Sequence, residues 1–288
     1  MFVLDGSGSV LPILLHSSRL AGLVVMGVAI VMVRSGVFSS SSFKMQSRGL
    51  DLLLAGKPVE AEKCYRKALD QGAKVPDSDR VRLLVCLGDA LMDQGRYEDA
   101  RQTLTQALGL GDPTGSGQGS MCDVLLAQKV SPEEAMEMAD EAMRLRGQAG
   151  IGQSFGTRWA AVSKDLYEAT TWARKARALL MLDRREDARN ALENALRILE
   201  AAKPELEQVQ PETSLTGRLI LGNRLQRMKD LTISDASWQI GLALLAMGDK
   251  QKSTKEFLVV CKSDPLGKYR NLAQRELDQL GYSGATSR

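Results

Sequence analysis

The sequence predicts an all-α fold, a solenoid built from helical hairpins, and two observations support this prediction. Only 5% of the 288 residues are aromatic while alanine and leucine are abundant, which favours helices packed through small residues over a sheet-based core. In addition, one pattern of small and apolar residues returns four times along the chain with the spacing of a helix–turn–helix unit.

The clearest copy of this pattern spans residues 81–114. An apolar stripe predicts its first helix, Gly95 ends that helix, a second stripe follows Tyr97, and Pro113 closes the copy. Small side chains in the stripes let the two helices approach closely, where a larger side chain would hold them apart. The stripes consist of Leu84, Leu87, Gly88 and Leu91, and of Ala100, Leu104 and Ala107.

The same frame fits residues 42–75, 169–202 and 234–267. A degenerate copy spans residues 116–149, in which residues 115–120 replace the first turn of the opening helix. These copies resemble the tetratricopeptide repeat, a helix–turn–helix of about 34 residues with small residues early in each helix and proline near its end. The resemblance implies a right-handed superhelix of five helical hairpins.

Segments between and after the copies complete the predicted organisation. Inserts fall at residues 76–80, 150–168 and 203–233, with helices predicted over 158–181 and 215–229. Residues 268–280 read as an amphipathic helix that caps the last repeat. We therefore divide the chain into an anchor and linker (1–41), N-terminal repeats of which the third is degenerate (42–149), and helical inserts with C-terminal repeats and cap (150–288).

An uncharged hydrophobic run precedes the repeats at residues 20–33. Extended to Phe38 it reaches about 28 Å as a helix, close to the roughly 30 Å of a bilayer core. This predicts a transmembrane helix over residues 20–38 and a membrane-anchored, bacterial-type member of the family. Two alternatives stay open: a secretory signal cleaved near Val33 and Ser35, and an organellar transit peptide, since Asp5 is the only acid in the first 45 residues.

Charges around this run predict its orientation. Arg34, Lys44 and Arg48 follow it, whereas Arg19 alone precedes it. The excess of basic residues on the C-terminal side places the repeats in the cytoplasm of a single-pass membrane protein. An exported or organellar location is the alternative.

Several kinds of chemistry find no support in the sequence. The net charge of +3 is not gathered into one basic run, so we expect no nucleic-acid partner. The four cysteines form no CxxC pair, and the lone histidine, His16, lies beside the hydrophobic run, so we expect no metal and no cofactor. The glycines at 115, 117 and 119 lack the Lys-Ser/Thr ending of a phosphate loop. We expect neither an enzyme nor a small-molecule substrate.

The resemblance implies that partners bind on the first helix of each repeat, at the concave surface. Chaperone-binding members grip a terminal carboxylate there with Lys, Asn and Arg, but this chain has Gln46, Leu50 and Cys86 at places where that set needs Lys and Asn. The predicted groove is mixed and partly apolar, which suits a helical or extended peptide. Its predicted lining residues are Phe43, Leu50, Arg82, Val85, Asp89, Arg177, Trp238 and Leu242.

Trp238 stands one residue past the place where the family packs its interhelix tryptophan, which rotates it about 100° toward the groove. The alternative is a one-residue shift of register that makes Trp238 a core residue. A second hypothesis concerns a basic group, expected to form a salt-bridged surface or, alternatively, to meet an acidic partner. It consists of Arg174, Lys175, Arg177, Arg184, Arg185 and Arg189.

The resemblance and the hydrophobic run together imply a membrane-tethered protein–protein interaction scaffold, adaptor or assembly factor. Two alternatives of the same class are a permanent accessory subunit of a membrane complex and an exported repeat protein with a cleaved signal. A permanent subunit would expose a large apolar patch when isolated, whereas an adaptor would not. An enzyme is the alternative of a different class.

Overall fold

A computed structural model of the chain describes residues 41–70, 75–148, 157–209, 215–264 and 267–282. Every helix or strand assigned in these ranges is an α-helix, which confirms the predicted all-α fold for this part of the chain. The hydrophobic segment at residues 20–38 lies outside the described residues. Within them, no helix has both the length and the apolar character needed to cross a membrane.

Eleven helices run through the described ranges and pair into five hairpins, α1–α2, α3–α4, α5–α6, α7–α8 and α9–α10, while α11 packs on α10. Each hairpin also packs on the next, so the helices form one continuous stack. The helices are α1 (Ser41–Leu54), α2 (Pro58–Leu69), α3 (Asp77–Asp93), α4 (Tyr97–Gly109), α5 (Ser116–Gln128), α6 (Pro132–Gln148), α7 (Thr157–Met181), α8 (Arg185–Gln208), α9 (Leu215–Met247), α10 (Lys250–Ser263) and α11 (Lys268–Gln279).

Glycine allows the closest approach between helices in three of the hairpins. A Cβ atom added to the glycine would lie only 2.5–2.7 Å from a side chain of the second helix. Such a contact is too short for any real Cβ atom, so the predicted role of the small residues is confirmed. The three pairs are Gly49 with Tyr65, Gly88 with Leu104, and Gly241 with Phe257.

The third hairpin begins differently from the prediction. Residues 115–120 do not replace a helical turn, because α5 already starts at Ser116. Asp112 fixes this start by accepting hydrogen bonds from the backbone N–H groups of Gly117, at 2.6 Å, and Thr114, at 2.8 Å. The glycines serve packing, since a Cβ atom on Gly119 would lie 3.0 Å from the hydroxyl oxygen of Tyr167.

The predicted inserts extend the repeat helices more than they interrupt them. Residues 77–80 form the first turn of α3, and α8 continues through Pro204 to its end. The helix predicted over residues 215–229 is the first part of α9. This helix is 33 residues long and also forms the first helix of the last repeat, because no proline interrupts it. The helix predicted over 158–181 and the capping helix are confirmed as α7 and α11. The division of the chain at residue 149 stays a prediction.

Candidate partner-binding groove

The first helices of the hairpins lie side by side. α1 contacts α3, α3 contacts α5, α5 contacts α7, α7 contacts α9, and α9 also contacts the terminal helix α11. Residues from α3 to α11 therefore meet around one cavity of about 270 Å³, which we call the central cavity. Its charged and aromatic lining residues are Asp89, Asp93, Asp123, Arg174, Arg177, Asp235, Lys268, Trp238 and Tyr269.

A buried ion pair joins α5 to α7 at the central cavity. Arg174 Nε donates to Asp123 Oδ1 at 3.0 Å, and Nη2 donates to Oδ2 at 2.7 Å. Burial alone would lower the pKa of the Arg174 guanidinium, but the carboxylate of Asp123 more than offsets burial and raises this pKa above its ordinary value. The remaining nitrogen, Nη1, is buried and has no hydrogen-bond partner among the described residues.

Gln239 connects this ion pair to Arg177. Its amide nitrogen donates to Asp123 Oδ1 at 3.2 Å, and its amide oxygen accepts from Arg177 Nη1 at 2.8 Å. Burial lowers the pKa of Arg177, and the nearby Asp123 offsets this only in part. The hydrogen-bond partner of the Arg177 guanidinium is thus a neutral amide, the side chain of Gln239.

The predicted salt-bridged basic surface is confirmed for four of its six residues and is wrong for Arg174 and Arg177. Those two side chains point to the cavity because they lie on the side of α7 that faces α5 and α9. The four confirmed pairs are Lys175 with Asp140, Arg184 with Asp187, Arg185 with Asp183, and Arg189 with Glu186.

The terminal helix α11 contributes two side chains to the central cavity. Asp264 sets the start of α11 by accepting a hydrogen bond from the backbone N–H of Arg270 at 2.8 Å. This start directs Lys268 toward α3, where its Nζ lies 2.8 Å from a carboxylate oxygen of Asp93. The hydroxyl group of the next residue, Tyr269, donates to Asp235 Oδ1 of α9 at 3.0 Å.

Two carboxylates of the central cavity, Asp89 and Asp235, form no ion pair within the described part of the chain. Burial raises the pKa of Asp89 to about 6, and the nearby Lys268 and the hydroxyl group of Ser120 offset only part of this effect. Burial also raises the pKa of Asp235, although Arg174 and the hydrogen bond from Tyr269 act in the opposite direction. No cluster of three His, Cys, Asp or Glu residues in the described ranges is arranged to hold a metal ion.

Trp238 lines the central cavity and is half-buried. Its ring centroid lies 5.4 Å from that of Phe257, with the rings tilted by 42°. The close contact between Gly241 and Phe257 fixes the register of α9, and Ser253 Oγ adds a hydrogen bond to the carbonyl oxygen of Gly241 at 3.0 Å. One side of the indole therefore packs on the last repeat while the other lines the cavity.

A second cavity of about 390 Å³, the flanking cavity, lies between α3 and the start of α5. Asp89 lines both cavities. Arg146 of α6 reaches the flanking cavity with its guanidinium carbon 4.8 Å from the ring centroid of Tyr167. The flanking cavity also has an apolar lining, which includes Val81, Val85 and Pro113.

Six of the eight residues predicted to line the groove lie at these two cavities, and two do not. Leu50 is 42% exposed and lines neither cavity, since it lies on α1 at the far end of the stack. Phe43 belongs to the first turn of α1, and its side chain is outside the described set. Asp89, Arg177, Trp238 and Leu242 line the central cavity, and Arg82, Val85 and Asp89 line the flanking cavity.

Three residues of the central cavity were not predicted from the sequence: Asp123, Lys268 and Tyr269. One signal pointed to Asp123: it is the only charged residue between Ser116 and Gln128, and a lone carboxylate in an otherwise uncharged helix needs a partner. Lys268 and Tyr269 carried no comparable signal, because their role depends on how far α11 reaches across the stack.

The family comparison covers the first two hairpins. The family model described as the tetratricopeptide repeat matches residues 42–112, which correspond to α1 to α4. The fifth hairpin repeats the close helix contact of this unit, with Gly241 against Phe257. The chain is therefore an all-helical stack of hairpins, in its described part, and its first two hairpins match the tetratricopeptide repeat model. No curated protein matches the sequence.

Two solved structures are similar to the chain at low sequence identity. A tetratricopeptide repeat protein from Parabacteroides merdae is 15% identical, with a TM-score of 0.34, over 81% of this chain and 99% of that chain. The TPR2AB domain of yeast Sti1, in its complex with pHSP90, is 16% identical, with a TM-score of 0.31, over 85% of this chain and 98% of that chain.

Proposed function

We propose that this protein is an interaction scaffold, an adaptor or assembly factor, that holds a segment of a partner protein in the groove formed by the two cavities. The observation that carries the proposal is the central cavity itself. It brings together Asp89, Arg177, Trp238 and Leu242 from three different helices, and all four residues keep part of their surface exposed. A half-buried indole beside unpaired charged groups is typical of a surface that becomes fully buried on binding.

The distribution of exposed apolar side chains supports an adaptor over a permanent subunit. In the described part of the chain the large apolar side chains that are clearly exposed are few and come from different helices and turns. They are Leu50, Val59, Leu110, Val130, Met181 and Tyr282.

The role of Trp238 in the groove can be tested by Trp238→Ala. We expect the affinity for captured partner proteins to fall by about 5- to 30-fold, or about 1–2 kcal/mol. The effect is moderate because only the exposed part of a half-buried indole becomes buried on binding. Affinity capture from gently solubilised membranes, followed by quantification of each co-purifying protein, measures this. Tyr282→Ala is the matched control, because Tyr282 is an exposed aromatic outside both cavities. Equal capture by both variants would contradict the proposal.

We further propose that residues 20–38 tether the repeats to a membrane, with the repeats on the cytoplasmic side. The support for the tether is the uncharged run of the sequence, and for the orientation the basic residues that follow it. The protein is then expected to stay with the membrane fraction after extraction with alkaline carbonate. Recovery of a mature N-terminus near Gly36 would instead identify a cleaved signal.

A further inference from the structure

We propose that two polar contacts act as a clasp that holds the groove closed, and that the groove opens to a partner segment when they break. The contacts are the ion pair between Lys268 and Asp93 and the hydrogen bond between Gln239 and Asp123. This inference rests on the proposed function, and it adds the conformational step that comes before binding.

The clasp joins hairpins that are not adjacent in the stack. The helices of each hairpin pack on those of the next, as expected for a solenoid. By contrast, Nζ of Lys268 on α11 lies 2.8 Å from a carboxylate oxygen of Asp93 on α3, in the second hairpin. The amide nitrogen of Gln239, in the fifth hairpin, donates to Asp123 Oδ1, in the third, at 3.2 Å. All four residues line the central cavity, so both contacts draw the stack together across it.

The buried apolar clusters do not join α3 to α11. In the described part of the chain these side chains form three clusters, and none of them includes residues of both helices. Ala273 and Leu277 of α11 belong to one cluster with Phe257 of α10. Leu87 and Leu91 of α3 belong to another, which extends over the first three hairpins. Separation of α11 from α3 therefore leaves these clusters intact.

The clasp consists of charged and polar groups that water can solvate. The side chains of Lys268 and Asp93 are only 13% and 18% exposed, so their attraction has to offset the cost of removing two charges from water. When the groove opens, both charges return to water together. Burial also raises the pKa of Asp89 near Lys268, so its carboxylate gains hydration as well. Opening therefore costs less than the loss of one partner of a buried pair.

The closed central cavity is small for a segment of a partner protein. Its volume is about 270 Å³, below the roughly 300–1,000 Å³ of pockets that bury a drug-sized ligand. Trp238 and Leu242 line it and keep part of their surface exposed. A wider groove would let a peptide reach these side chains, and the clasp sets that width.

Acrylamide quenching of Trp238 fluorescence, in the full-length protein in detergent micelles, measures opening. Comparison of each protein with the same protein carrying Trp238→Phe isolates the Trp238 signal. We expect Lys268→Met to raise the quenching constant of Trp238 by about two- to fivefold, because the unpaired Asp93 is hydrated only when the groove is open. Lys252→Met is the matched control and should behave like the native protein, because Lys252 pairs with Asp249 inside the last hairpin.

A second measurement needs only the native protein, so it also applies if Lys268→Met does not fold. Acetylation of lysines by N-acetoxysuccinimide, followed by mass spectrometry, reports how often Lys268 becomes accessible. We expect Lys268 to react more slowly than the exposed Lys252. Its rate should change little with urea below the unfolding transition, because opening exposes little surface.

Three results would overturn the inference. They are equal quenching of Trp238 in the native protein and in a folded Lys268→Met variant, acetylation of Lys268 as fast as that of Lys252, and an acetylation rate that rises with urea as steeply as global unfolding does. If one of these is found but Trp238→Ala still weakens the capture of partner proteins, the scaffold function stands without the clasp. If the clasp opens as expected but no captured protein depends on Trp238, the proposed function fails instead.

Discussion

We expect Asp123→Ala to lower the free energy of unfolding by about 3–5 kcal/mol, the usual effect of removing one partner of a buried ion pair. The substitution leaves the guanidinium of Arg174 buried with none of the two hydrogen bonds that Asp123 accepts from it. Gln239 also loses the acceptor for its amide N–H group. Urea denaturation followed by circular dichroism at pH 7.5 measures the effect.

The matched control for this prediction is Asp140→Ala. Asp140 pairs with Lys175 on the same helix α7, but its side chain is 49% exposed, so we expect a loss below about 1 kcal/mol. A double variant that replaces Asp123 by leucine and Arg174 by methionine should recover most of the stability, because it removes both buried charges. Equal losses for Asp123→Ala and Asp140→Ala would show that the Arg174 pair is not buried in solution.

The sequence predicted the parts of the fold that depend on local spacing. Gly88 and Gly241 share one place in the repeat, and both meet a large side chain of the second helix as predicted. Helix ends were predicted less well, because in this chain the periodic pattern does not show where one helix stops. α9 shows this clearly, since it joins a predicted insert and the first helix of the last repeat in a single element.

The candidate site was only partly predictable for a different reason. Asp89 and Trp238 could be predicted as lining residues of the groove because each occupies a groove position within its own repeat. Their meeting with Lys268 depends on the curvature of the whole stack, which brings α11 within 2.8 Å of a side chain on α3. Curvature is the sum of small rotations between successive hairpins, and no single repeat of the sequence encodes it. The degenerate third repeat also concealed the register of Asp123.

The second large effect is expected from Asp89→Asn, and its sign is the opposite of that for Asp123→Ala. The folded-state pKa of Asp89 is about 6, above the ordinary value of 3.8, so the folded state holds this proton more tightly than the unfolded chain. The contribution of Asp89 to stability therefore falls as pH rises from about 4 to 6, and above pH 6 the whole cost of this carboxylate is present, about 2–3 kcal/mol. Asparagine carries no charge, so the variant should be more stable than the native protein by this amount at pH 7.5.

Urea denaturation of both proteins at pH 7.5 and pH 4 measures this difference, which should nearly vanish at pH 4, where the carboxyl group is largely protonated in both states. Asp93→Asn is the control, because Asp93 pairs with Lys268 and its neutralisation should destabilise the fold. A loss of stability for Asp89→Asn at pH 7.5 would mean that Asp89 has an attractive ionic contact in the folded protein. Because Asp89 also lines both cavities of the proposed groove, the same substitution should strengthen the fold and change the binding of a partner segment.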